Sequence, residues 1–200
     1  MSIRYIGDLS AQDAALLSTL SQSALNVLEF GAGGSTQVIA QSVPRQGTLR
    51  SIETDASWIE RTQTNLQRLG ISHPVEFMSW KDWEHSSPPP CPYDLVFDDG
   101  VDKLRIKFAL RAWPMLRVGG KFLFHDTRRP KDYKNVTTFL NTFYLEVDCI
   151  QPNHLASNIT VLTKKTPQAW EDWNVVERRA RWEYGHAEPP PELWGDRPKS

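Results

Sequence analysis

Short apolar runs of strand length alternate with amphipathic stretches of helix length along most of this chain. That alternation predicts an α/β protein with a mostly parallel sheet covered by helices on both faces, a three-layer arrangement. Two further observations support the class. The strand runs are short and mainly apolar, as suits strands covered on both sides. The last two runs have no helix between them, so the sheet should finish in an antiparallel hairpin.

In order, the first element is a helix over residues 10–21 with Ser10 as its cap. Strands are predicted over 24–30, 48–52, 75–78, 95–97 and 121–125, with crossover helices over 35–42, 57–69 and 102–116. The runs at 144–150 and 159–163 are joined by QPNHLAS, which is too short for a right-handed crossover. From Thr166 the composition shifts: four of the eight Trp and a Pro-rich run lie beyond it. The reading is a main domain over 1–165 and a Trp/Pro-rich extension over 166–200. In the extension, a helix over 168–183 would put Trp170 and Trp173 on one face to dock on the domain, ahead of a polyproline-like tail.

The chain has 200 residues, 23 Lys and Arg against 24 Asp and Glu, and a formal net charge of -1. This balance excludes a surface that is basic throughout, as a nonspecific nucleic-acid binder would need, while leaving room for a local basic patch. Cys91 and Cys149 stand alone, without a CxxC pair or a His cluster, which argues against a zinc site or a disulfide framework and fits a reducing cytoplasm. The opening MSIRYIGDLSAQD has no apolar core of a signal peptide, and no apolar stretch approaches the ~20 residues of a membrane span. A cytoplasmic protein is expected.

The most informative segment is NVLEFGAGGSTQVIA, an apolar strand running into a glycine-rich turn and a helix. Gly31 and Gly33 permit close approach of a ligand to the backbone, and the helix start at Ser35 and Thr36 offers free N–H groups. Thr36 occupies the last position of a GxGxxG/A pattern, where a dinucleotide site has a small residue, and Glu29 precedes the first glycine by two residues. A carboxylate there suits a cationic ligand, such as the amino and sulfonium groups of S-adenosylmethionine, and would repel the diphosphate of NAD. A second acid, Glu53, closes the next strand 22 residues beyond Gly31, the spacing of a ribose-binding carboxylate; its plainer reading is a cap for the following helix.

EFGAGGST, SIETDASWIE, DLVFDDG and LRVGGKFLFHD, in that order, resemble the motifs of class I S-adenosylmethionine-dependent methyltransferases over roughly residues 25–163. The resemblance implies a Rossmann-like seven-stranded sheet of order 3-2-1-4-5-7-6 and methyl transfer by in-line displacement. It further implies that Glu29, Gly31, Ala32 and Gly33 form the first motif, Glu53 the ribose acid and Asp99 the acid ending strand 4, with Ser79 and Trp80 near adenine. Val118 replaces the proline usual before the double glycine. Asp98 stands where an aliphatic residue is usual, so either Asp98 or Asp99 could face the site.

Ligands of open α/β sheets bind outside the carboxyl ends of the strands. Pro90-Cys91, which resembles a nucleophilic Pro-Cys, precedes strand 4 and so falls at the wrong end. Asp98, Asp99, His125 and Asp126 fall at the right one. His125 or Asp126 could take a proton from a hydroxyl acceptor, or converging carboxylates could hold Mg²⁺, although Thr127 stands where metal-dependent enzymes offer Asn or Asp. The following TRRPKDYK reads either as a solvated basic loop or as a recognition element for an anionic acceptor. The expected function is methylation at oxygen of a small or glycan-like acceptor. The alternatives are a non-catalytic nucleoside-binding module joined to a partner through its Trp-rich tail and an NAD-dependent oxidoreductase, the latter disfavoured by Glu29 and Thr36.

Overall fold

The computed structural model describes residues 9–87, 89 and 91–166. The chain runs through α1 (Ala11–Ser21), β1 (Asn26–Phe30), α2 (Gly34–Ser42), β2 (Thr48–Glu53), α3 (Ala56–Arg68), β3 (Val75–Ser79), α4 (Trp80–Glu84), β4 (Tyr93–Asp98), α5 (Arg105–Ala112), β5 (Leu116–Phe124), α6 (Pro130–Phe143), β6 (Val147–Gln151) and β7 (Thr160–Lys164). The strands form one seven-stranded sheet of order β3-β2-β1-β4-β5-β7-β6, as expected. β3, β2, β1, β4 and β5 pair in parallel, and β7 runs antiparallel to both β5 and β6. The extension beyond residue 166, with Trp170 and Trp173, lies outside the described residues.

Local chemistry explains the element boundaries. Ser10 caps α1 through a reciprocal pair with Asp13, and Asp55 caps α3 by accepting the Ser57 N–H. The predicted helix over 102–116 is shorter, because Pro114 allows only a 3-10 turn at Trp113–Met115 after α5. β5 consequently begins at Leu116 rather than 121, with a register irregularity between Tyr93 and Leu95 of β4.

The segment read as a basic loop is largely helical. Pro130 supplies its fixed φ at the first position of α6, and Val136, Phe139, Leu140 and Phe143 bury one face at helical spacing. Two apolar cores result. α1, α2 and α3 cover one face through residues such as Leu17, Val38, Ile39 and Leu66. α4, α5 and α6 cover the other, where the rings of Phe30 and Phe108 stack at 4.6 Å and Trp113 packs edge-on against Phe139 at 5.0 Å. Each fully buried ring of this kind contributes about 2–3 kcal/mol. No described helix is long and apolar enough to cross a membrane.

Candidate functional site

Strand register places the site. Met78, Ile52, Phe30, Asp98 and Phe124 form one row across β3, β2, β1, β4 and β5. The next residue of each strand, namely Ser79, Glu53, Gly31, Asp99 and His125, follows at the carboxyl edge. Backbone bonds extend the ladder to this edge: Gly31 N–H to Ile52 O at 2.9 Å, Asp99 N–H to Phe30 O at 2.9 Å, and His125 N–H to Asp98 O at 3.0 Å. Here a cavity of about 470 Å³ opens, bordered by the glycine turn, Glu53, Asp99, His125 and Asp126. That volume suits a small organic ligand.

The glycine turn is bare for two separate reasons. Gly31 has φ +92°, and a Cβ on it would lie 2.5 Å from the Asp99 carbonyl oxygen, so strand 4 can approach only a glycine. Gly33 would place a Cβ in open space, which leaves the turn's backbone accessible from the cavity.

Glu29 does not face that cavity, contrary to its predicted role as partner of a cationic ligand. It is fully buried beneath the turn, where Ser35 Oγ, Thr36 Oγ1 and Ser51 Oγ donate to it at 2.5, 2.7 and 2.6 Å. Burial pushes its carboxyl up to about 7 against the pull of these three hydroxyls. Thr36 Oγ1 also accepts the Gly33 N–H at 2.9 Å, so Glu29 fixes the turn from below. Its charge therefore gives no argument against NAD, and the side chains of Ser35 and Thr36 are turned to Glu29.

Glu53 stands at the cavity wall as expected. Its Oε2 accepts the Ala32 N–H at 2.9 Å, and its Oε1 accepts the N–H groups of Thr54 and Asp55 at 2.5 and 3.0 Å. Oε2 thus keeps accepting capacity for a further hydroxyl donor.

Three predicted cofactor residues fall elsewhere. Ser79 caps α4 through Asp82, and Trp80 packs between Phe30, Trp83 and Phe108, so neither borders the cavity. Asp98 shares its row with Phe30, Ile52 and Phe124 and points into the core under α5 and α6. It is wholly buried with Oδ2 unpartnered among the described residues, and burial pushes it up to about 8. The parity of the strand thus resolves the Asp98/Asp99 alternative in favour of Asp99.

Asp99 anchors a charged network at the ends of β4 and β5. Its Oδ1 accepts from His125 Nδ1 at 2.8 Å and from Arg105 Nη2 at 3.0 Å. Arg105 is buried and also donates to the carbonyls of Gly100 and His125, both at 2.9 Å, which pins the two strand ends together. Asp126 adopts φ +63°, a left-handed conformation, and is held by Asn158 Nδ2 at 2.8 Å and by Arg129.

His125 Nε2 faces Asp13 Oδ2 of α1 at 3.4 Å, so both ring nitrogens meet carboxylates and both must donate. Burial of the ring would lower its pKa, but the bonds to Asp13 and Asp99 outweigh this and raise it to about 9. The predicted general base is therefore an imidazolium at neutral pH, with no lone pair to offer. That reading of His125 is corrected; its role is to clamp α1 to the strand ends.

Asp13 and Arg105 are site residues that sequence reasoning missed, while Arg129 was singled out only as part of the TRRPKDYK run. Locally Asp13 is the capping partner of Ser10; its bonds to His125 and Asn158 span 112 and 145 residues. Trp58 also borders the cavity, from the first turn of α3.

Asp99, His125 and Asp126 bring three donor atoms within 4.8 Å of one another, the geometry a divalent cation would need. The donors do not fit one: Asp99 Oδ1 already accepts two cationic N–H groups, and the guanidinium of Arg105 approaches Asp126 at 3.7 Å. Mg²⁺ would have to displace an imidazolium and a guanidinium from oxygens they neutralise.

Two of the four positive side chains of the predicted basic loop, Arg129 and Lys131, are in ion pairs. Arg129 pairs with Asp126 and Asp132, Lys131 with Asp102 at 2.5 Å, and Arg128 donates to Ala156 O at 2.5 Å. Of this segment only Arg129 borders the cavity. At the other end of the sheet, Cys91 is an exposed free thiol ahead of β4, as expected.

No family model matches the chain. A protein-L-isoaspartate O-methyltransferase of Thermococcus sibiricus is 31% identical over 105 residues, covering 51% of this chain; the chain spans 44% of that relative's length. The O-methyltransferase TomG of Streptomyces achromogenes, involved in tomaymycin synthesis and solved with S-adenosylmethionine, superposes with TM-score 0.63. It is 20% identical, with 80% of this chain and 82% of that one covered. An O-methyltransferase from Bacillus cereus solved with S-adenosylhomocysteine gives TM-score 0.61 at 18% identity, covering 78% and 83% of the two chains. At such identities the structural likeness establishes the fold.

Proposed function

We propose that this chain, which has the fold of the class I S-adenosylmethionine-dependent methyltransferases, is itself such an enzyme and transfers a methyl group to oxygen on a small anionic acceptor. One observation carries the reading: the bare glycine turn of β1, Glu53 of β2 and Asp99 of β4 converge on a single cavity at the carboxyl edge. When bound, S-adenosylmethionine supplies a methyl group made electrophilic by its sulfonium.

The chain's residues fit that ligand. Glu53 Oε2 suits ribose hydroxyls, the accessible backbone around Gly33 suits the amino-acid portion, and the Asp99 carboxylate suits its ammonium. Arg105 and His125 hold Asp99 in place at the cavity wall. Asp13 of α1 meets His125 behind this end of the site, and Leu9, just ahead of α1, borders the cavity.

Calorimetric titration tests the reading. S-adenosylmethionine and S-adenosylhomocysteine should bind and NAD should not; tight NAD binding with no response to either S-adenosyl compound overturns it. Formation of S-adenosylhomocysteine in the presence of an acceptor separates an enzyme from a non-catalytic module with the same pocket. The likeness to a protein-L-isoaspartate O-methyltransferase and to two O-methyltransferases supports oxygen as the acceptor atom.

A further inference from the structure

Among the described residues, each carboxylate that borders the cavity already accepts from a charged or polar side chain or from a backbone N–H. On the β4–β5 side both nitrogens of His125 point at carboxylates, Asp99 Oδ1 is shared by His125 and Arg105, and Asp126 accepts from Asn158 and Arg129. Across the cavity Glu53 and Asp55 accept backbone N–H groups at the start of α3. A hydroxyl acceptor must lose a proton during transfer, whereas an acceptor that is already ionised needs no base.

Arg129 is different. Its Nε donates to Asp132 at 2.7 Å and its Nη2 pairs with Asp126, while its Nη1 makes no hydrogen bond among the described residues. The side chain is 44% exposed and borders the same cavity as Asp99. The two acids hold the guanidinium rigid and leave one edge for a planar anion. Leu9 and the 40%-exposed Val101 add apolar surface nearby.

We infer, on the strength of the methyltransferase reading, that the acceptor is a carboxylate, oriented by the free edge of Arg129 and methylated to an ester without general-base help. A carboxylic acid of ordinary pKa, about 4, is already ionised at neutral pH. An oxygen lone pair forms the new bond to the methyl carbon as the carbon–sulfur bond breaks, with its electron pair passing to sulfur. The negative carboxylate and the positive sulfonium become a neutral ester and a neutral thioether, and no proton moves. Two opposite charges vanish together, so the transfer needs no base.

The test uses the full chain with methyl-labelled S-adenosylmethionine and three probes of matched shape: benzoate, phenol and phenyl phosphate. Benzoate should be labelled and should release the label as methanol in mild alkali, at a rate nearly independent of pH between about 6 and 8. Arg129→Gln should reduce kcat/KM for benzoate by about 10- to 150-fold, as for a lost charge-assisted bond, with S-adenosylhomocysteine affinity within about 2-fold. Arg129→Lys, which keeps the charge but not the fork, should fall between the two, and matched thermal melts establish that both variants fold.

Label on phenol or phenyl phosphate that survives alkali overturns the inference, as does an Arg129→Gln enzyme equal to the wild type. Failure of benzoate to bind the S-adenosylhomocysteine-loaded protein also overturns it while leaving the methyltransferase reading intact. Absence of binding by both S-adenosyl compounds instead defeats that reading first.

Discussion

His125 is expected to carry a large, pH-dependent share of stability. The ring is 2% exposed and lies between Asp13 and Asp99, which raise its pKa from 6.5 to about 9. A shift of that size corresponds to about 3 kcal/mol of preference for the imidazolium in the folded state. Because the folded pKa lies above the unfolded one, this contribution is complete below about pH 6.5 and is lost as the pH rises through about 9. In urea unfolding of the full chain, His125→Asn should be most destabilised relative to wild type near pH 6. The gap should narrow by about 3 kcal/mol at a pH above 9. Glu29 and Asp98 also titrate above their usual range, but they do so in both proteins and cancel in the difference. A gap of equal size at the two ends of the range would refute the clamped-imidazolium account, and His125 would again be available as a base.

Three other outcomes are expected. Glu53→Ala should weaken S-adenosylmethionine binding by roughly 10- to 150-fold in a calorimetric titration; an unchanged dissociation constant with an intact fold would remove Glu53 from the site. Gly31→Ala combines φ +92° with a 2.5 Å approach to the Asp99 carbonyl, so it should lower stability by at least about 1–3 kcal/mol and abolish cofactor binding; a variant melting like wild type would show that the turn tolerates a side chain. Asp98→Asn should stabilise the fold increasingly as pH rises from about 4 towards 8, because the buried carboxyl is pushed up to about 8 and its ionisation opposes folding in that window. Denaturation midpoints that respond equally across this range would contradict the assignment.

The fold was legible because each parallel strand is a short, largely apolar run that ends at a polar or glycine residue. Phe30–Gly31, Ile52–Glu53 and Phe124–His125 each mark the point where core burial stops and the carboxyl edge begins. α6 was also legible in principle through the spacing of Val136, Phe139, Leu140 and Phe143, but Pro130 and the flanking charges read as a loop. The Asp98/Asp99 ambiguity was a matter of strand parity: Asp98 follows Val96 on the face covered by α5 and α6, and the next residue turns outward.

The amino-acid sequence by itself determined the sheet, its hairpin and the positions of the glycine turn, Glu53 and Asp99 at one edge, because local apolar patterning and turn chemistry act over a few residues. Tertiary structure alone decided what those groups can do. Whether Glu29 meets a ligand or three hydroxyls, and whether His125 is a base or a clamped cation, depends on partners brought from β2, α1 and α5. A side chain's charge and free lone pairs are set by burial and by neighbours. Ser35 and Thr36 stand close to Glu29 in sequence, but Ser51, and the Asp13 and Asp99 that flank His125, are brought in only by the fold.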